Sequence, residues 1–183
     1  MSYIGQKPAE RILTSADLAD ASITQPKVAT AVASTGPAFS AYANATQTVT
    51  NNVITKVVFQ TKSFDTANCF DATTNYRFTP NVAGYYQFHT VLHLEGTVLS
   101  TQFVLYIAKN SASGPRLIDT NPSAALSSNA ETTFSASAPL IYMNGTTDFV
   151  EVYGYYFGGT STFSGTSASY QYSYFSGLLV KAA

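Results

Sequence analysis

Apolar and polar side chains alternate with a period of two along several stretches of the chain. Residues 84–94 place Tyr86, Phe88, Thr90, Leu92 and Leu94 on one side and Tyr85, Gln87, His89, Val91 and His93 on the other. Residues 102–108 set Phe103, Leu105 and Ile107 on one side, residues 53–60 are rich in β-branched side chains, and residues 149–157 and 170–180 alternate again. Asn-, Gly-, Pro- and Ser-rich turns bound these runs, and no window of comparable strength has a helical period. The pattern predicts about seven to ten short strands and an all-β antiparallel sandwich or jelly roll. Several strands are apolar on both sides, whereas a lone sandwich keeps one polar side per strand. Either a further subunit covers an outer face, or exposed tyrosines simply tolerate water.

The pattern weakens before Gly36-Pro37. Residues 1–36 carry six of the nineteen charges but one aromatic, Tyr3, and Pro8 and Pro26 interrupt any long helix. Ser15 is placed to cap one short turn through Leu18. This stretch lacks the large side chains needed to fold alone, so it reads as an arm that orders on a partner, or as a disordered tail. Tyr3, Ile4, Ile12, Leu13 and Ile23 are its candidate anchoring residues. Residues 37–183 form the domain and hold the other twenty-four of the twenty-five aromatics.

Charge narrows the partners. Only 10% of the 183 residues are charged, and the net charge is −1, against about 25% charged residues in an ordinary soluble domain. Such a chain has no basic field for nucleic acid or an anionic membrane. No apolar run is long enough to span a bilayer, and the first residues lack a secretion-signal pattern. One cysteine excludes an internal disulfide framework. Low charge and near-zero net charge favour a chain that lives inside an assembly.

Spacing adds a family. Phe59, Asp65 and Phe70 precede Phe78 and the run Gly84-x-Tyr86-x-Phe88. This order resembles complement C1q-like domains, members of the tumour-necrosis-factor-like jelly-roll group. Asp148–Val152 and Tyr174–Val180 resemble that family's penultimate and closing strands. The gap from Phe70 to Phe78 is one residue longer than the pattern, and Thr90 stands where it has an aromatic. The resemblance spans about residues 38–181 and implies a ten-stranded jelly roll assembling as a homotrimer. Tyr86, Phe88, Phe78, Phe175, Gly177 and Leu179 are then trimer or core packing residues. In the arm, Ser2-Tyr3-Ile4-Gly5, Asp20-Ala21-Ser22-Ile23-Thr24 and Lys27-Val28 resemble N-terminal segments of bacteriophage tail-fibre and appendage proteins, which implies attachment to other virion proteins.

The chain offers little for catalysis. His89 and His93 share a strand face; repeated about a threefold axis they are weak metal candidates, and otherwise satisfied core or interface residues. Cys69 sits in no reactive motif and reads as a small buried side chain. Asp65 and Asp71 flank one candidate loop and Asp119 lies in another, without a pairing for glycoside hydrolysis. Phosphate-loop, HExxH and GxSxG motifs are absent, and no cofactor is expected. Segments 110–130 and 158–170 read as long loops of small residues, with a paratope-like composition or plain solvent exposure. Phe163, Tyr170 and Tyr172 are candidate receptor contacts by stacking on sugars, or else pack between subunits. The expected role is non-enzymatic: a trimeric tail-fibre or appendage head on the phage particle, assembled in the bacterial cytoplasm, that binds a host-surface glycan or protein. The alternative is a capsid decoration protein. Neither nucleic acid nor membrane insertion is expected.

Overall fold

The computed structural model describes residues 36–96, 102–120, 131–158, 161–165 and 170–183. The chain divides into two units, Met1–Thr35 and Gly36–Ala183. The first, with the Ser15 cap and the anchoring candidates, lies outside the described residues. The second is built from strands: β1 (Ala38–Tyr42), β2 (Gln47–Val49), β3 (Ile54–Lys56), β4 (Thr61–Asp65), β5 (Phe70–Asp71), β6 (Arg77–Phe78), β7 (Gly84–Gly96), β8 (Gln102–Lys109), β9 (Arg116–Thr120), β10 (Glu131–Met143), β11 (Val150–Phe157), β12 (Ser161–Phe163) and β13 (Tyr174–Ala182). All pairings among them are antiparallel.

Two sheets form. One runs β2-β12-β7-β13-β1-β4, with β10 on the free side of β7; the other runs β5-β6-β11-β8-β9, with β3 also on β11. The alternation of residues 84–94 explains how they face each other. Tyr86, Phe88, Thr90, Leu92 and Leu94 are buried, while Tyr85 and Gln87 point to solvent. In the core, Phe39 lies between Phe70 and Phe78, its ring stacked on both at 4.9 and 4.6 Å, with Phe175 edge-on at 5.0 Å. Gly177 is required at this point: a Cβ there would sit 2.5 Å from the Phe88 ring and 2.9 Å from that of Phe39. Tyr86, Phe88, Phe78, Phe175 and Gly177 thus pack inside one chain, with Leu179 at the margin.

The doubly apolar strands divide into two cases. On β8 the outer side is covered within the chain: Val104, Tyr106 and Ala108 form a second buried cluster with Tyr153. The rings of Tyr106 and Tyr153 stack at 5.5 Å. Tyr153 donates its hydroxyl to Glu151, whose other oxygen takes Lys56 Nζ at 2.5 Å. Burial and the adjacent Glu151 carboxylate push the Tyr153 phenol far above its ordinary value. No second subunit is needed to explain this strand. On β7 the outer side is open at Tyr85 and Gln87, while His93 is buried beneath Tyr172.

Several expected boundaries shift. The 53–60 stretch is a strand only over Ile54–Lys56, because Gln47 then takes over the backbone, accepting from Val58 N and donating to Lys56 O. The 170–180 strand starts at Tyr174. The 110–130 segment is not one loop: Arg116–Thr120 pairs with β8, which places Asp119 in a strand, and 121–130 lie outside the described residues. Within 158–170, Ser161–Phe163 forms β12.

Candidate functional site

The open face of the seven-stranded sheet has two chemically distinct ends. Register places Tyr85 beside Tyr142 of β10 and Lys181 of β13, and Gln87 beside Leu178. Tyr85 (42% exposed), Tyr142 (46%) and Leu178 (48%), together with exposed Leu140 and Val180, make an apolar end. The Tyr85 and Tyr142 rings meet edge-to-face at 5.7 Å. Further along β7, His89 lies between Ser137 and Ser176, and His93 opposite Thr133. His89 Nδ1 shares a hydrogen bond with Ser137 Oγ (2.7 Å), and His93 Nδ1 one with Thr133 Oγ1 (3.0 Å). Tyr172 stacks on His93 at 4.9 Å, Tyr170 on Tyr172 at 6.1 Å, and Tyr174 lies 5.9 Å from His89. The two histidines therefore share a face, as their spacing implies, and each has a hydroxyl partner. Among the described residues, no three His, Cys, Asp or Glu side chains gather to hold a metal ion.

The receptor-contact candidates separate. Phe163 is 1% exposed and belongs to the core, because β12 pairs with β7 in a register that turns its odd-numbered residues inward. Its ring meets Phe103 and fills the space left by Gly154, where a Cβ would lie 2.4 Å away. Phe163 is thus no surface contact. Tyr170 is 66% exposed and Tyr172 half-buried against His93, so these two do reach the surface.

The candidate acids are structural. Asp65 accepts from Cys69 N and Phe70 N, both at 2.9 Å, and from Lys62 Nζ at 3.2 Å. Burial alone would raise its pKa, but these bonds together hold it below the usual carboxylate value. Asp71 closes its own turn, accepting from Thr73 N, Thr73 Oγ1, Thr74 N, Asn75 N and Asn75 Nδ2 at 2.8–3.1 Å. The backbone donors of Thr74 and Thr73 lead in pulling it far down. At Asp148 burial again opposes ionisation, and Lys109, Asn110 and Asn144 N outweigh it. The Cys69 thiol donates to the Ala67 carbonyl, and burial pushes its pKa up, away from thiolate chemistry.

These three carboxylates set an expected acid limit. Each has a folded pKa below its unfolded value of 3.8. Their stabilisation is therefore complete above about pH 4 and lost as pH falls through the folded values. Melting temperature should hold steady, as far as these groups govern it, down to about pH 4 and fall below it. In Asp65→Asn the fall should be shallower; an unchanged acid slope would show that Asp65 contributes nothing.

A cleft, polar and apolar in about equal measure, opens where β4 meets the β5–β6 hairpin. It encloses about 430 Å³ and is lined by Lys62, Asn68, Asp71, Asn75, Arg77 and Thr79. Arg77 lies over the Phe149 ring, 4.1 Å from its centroid. Asn68 and Tyr76 both adopt left-handed backbone, at φ 52° and 50°. No motif or periodicity marks Arg77 in the sequence; only the fold brings it near Lys62 and Asn68.

No family model matches the chain, and no curated protein matches it. Solved structures do. Eiger TNF from S. frugiperda superposes with a TM-score of 0.57 at 10% identity, over 81% of this chain and 94% of that one. Murine APRIL at pH 8.0 gives 0.57 at 9% identity, and at pH 5.0 gives 0.57 at 10%, each over 79% of this chain and 99% of that one. At such identities the likeness speaks for the fold alone, and residues 36–183 adopt an antiparallel jelly roll of the tumour-necrosis-factor type.

Proposed function

We propose that this chain is a non-enzymatic bacteriophage virion protein: a homotrimeric head, tied to the particle by residues 1–36, that binds a host-surface glycan or protein. The observation that carries the assembly is the apolar end of the open sheet face. Tyr85, Tyr142, Leu140, Leu178 and Val180 are exposed there in a single chain, and large exposed apolar side chains on neighbouring strands of a low-charge protein call for a covering surface. Self-association through this face would cover them. The resemblance of the arm to tail-fibre segments supports the virion role. Carboxylates spent on their own turns and an unreactive buried thiol support recognition without chemistry. Three copies would multiply a weak single-site affinity.

Two measurements test the reading. Purified protein should compete with particles for adsorption to susceptible cells, and no competition at saturating protein would overturn the receptor role. Removing residues 1–33 should leave a soluble trimer that no longer joins particles; a truncated protein that still co-purifies with virions would overturn the anchor. Copy number separates the head from a capsid decoration protein, which would be far more abundant per particle.

A further inference from the structure

We propose that the cleft between β4 and the β5–β6 hairpin is a binding site for a carboxylated saccharide, a hexuronic acid unit, with Arg77 as its carboxylate anchor. This deepens the proposed recognition role by naming a ligand class and a place for it.

The cleft has a size typical of ligand sites, which run from about 300 to 1,000 Å³. Its charges are mostly committed. Lys62 Nζ lies between Asp65 Oδ2 (3.2 Å) and Asn68 Oδ1 (3.1 Å). The Asp71 carboxylate is saturated by the donors of its own turn. Among the described residues the Arg77 guanidinium has no acceptor; its recorded contact is the Phe149 ring beneath it. That contact holds one face of the guanidinium against the ring and leaves its five donors without an acceptor among the described residues, a group that suits a bidentate carboxylate. Asn68, Thr79 and Asn75 also line the cleft and bring further polar atoms for hydroxyl groups.

Charge and polarity decide between ligands. Lys62 and Arg77 are offset by Asp65 and Asp71, so the cleft has no net positive field to draw a polyanion, and a single carboxylate is held by the directed donors of Arg77 rather than by net charge. The apolar lining, Ala72 with the buried Cys69 and Phe70, makes up about half of the cleft, which suits the apolar ring face of a sugar whose hydroxyls and carboxylate reach the polar half.

The site is also held in place. Lys56 Nζ donates to the Asn75 carbonyl at 3.2 Å while paired with the buried Glu151 carboxylate, which fixes the floor of the loop. Tyr76, immediately before Arg77, keeps a left-handed conformation that is strained for a bulky residue, and such strain concentrates at ligand sites.

The test is a titration of the full-length protein, followed by amide chemical shifts, with sodium D-glucuronate, D-glucose and sodium acetate as separate probes. Glucuronate should shift resonances of residues 68–79 with a millimolar midpoint, and glucose and acetate should each bind at least about tenfold more weakly. Arg77→Gln should weaken glucuronate by a similar factor, with its melting curve confirming the fold. Thr79→Val, which keeps the side chain's shape and removes only a hydroxyl from the lining, should weaken it by less. Equal binding of glucose or of acetate, or no shifts with glucuronate, would overturn the proposal. Because this titration uses neither cells nor particles, its failure leaves the adsorption result standing, and the converse holds.

Discussion

Phe39→Ala is expected to destabilise the domain by about 3–5 kcal/mol, the range for truncating a buried aromatic. The ring is 1% exposed and stacks between Phe70 and Phe78 with Phe175 at its edge. It also lies against the Gly177 backbone, so the void opens where two sheets meet and where no neighbouring side chain is free to move in. Urea denaturation at fixed protein concentration reads the loss as a lower midpoint at unchanged slope. A cost below about 1 kcal/mol would mean that the stacked rings collapse into the space and that the core is far softer than its packing indicates.

The second large effect is on assembly. Tyr85→Asp combined with Tyr142→Asp should convert the proposed trimer into a folded monomer at micromolar concentration. Both side chains are nearly half exposed in the single chain, so the domain itself loses little. In a self-associated face each copy would instead bury two unpaired carboxylates, at a cost of several kcal/mol per ion. Sedimentation velocity should show one slower species, and near-ultraviolet circular dichroism should match the parent. A parent protein that sediments as a monomer would remove the premise, and a double variant that stays trimeric would move the contact to another face. Apparent melting temperature should also fall and become independent of concentration, since association no longer adds to stability.

Much of the fold was legible because β7, β11 and β13 carry a full period of large side chains: one buried row sets the face, and the family spacing around Gly84, Tyr86 and Phe88 sets the order. β1 and β10 escaped notice for the opposite reason. The inward residues of β10 include Ala136 and Ala138, and β1 has only Phe39 as a large buried residue in a five-residue run, so alternation leaves a faint trace there. The open face was half legible. Tyr85 and the two histidines were read onto one side of β7, yet the sequence could not separate β7, left uncovered, from β8, covered by its own chain through Tyr106 and Tyr153. Phe163 was misread because a short strand in a Ser-, Gly- and Thr-rich stretch looks like a loop until its partner Leu94 is known. The cleft was illegible altogether: Arg77 and Phe149 lie far apart in sequence and meet through the pairing of Phe78 with Val150.

The position of β13 governs the order in which the molecule can be made. β13, the last of the described strands in sequence order, is inserted between β7 and β1, whose residues pair with it on either side. Until Tyr174–Ala182 emerges, the first strand of the domain has no route to β7, and Phe39 and Phe88 lack the backbone of Gly177 that separates them. Closure therefore depends on contacts of great sequence separation, which places folding in the slow regime of about milliseconds to seconds. Until β13 docks, the unzipped edges of β1 and β7 are what a chaperone would meet.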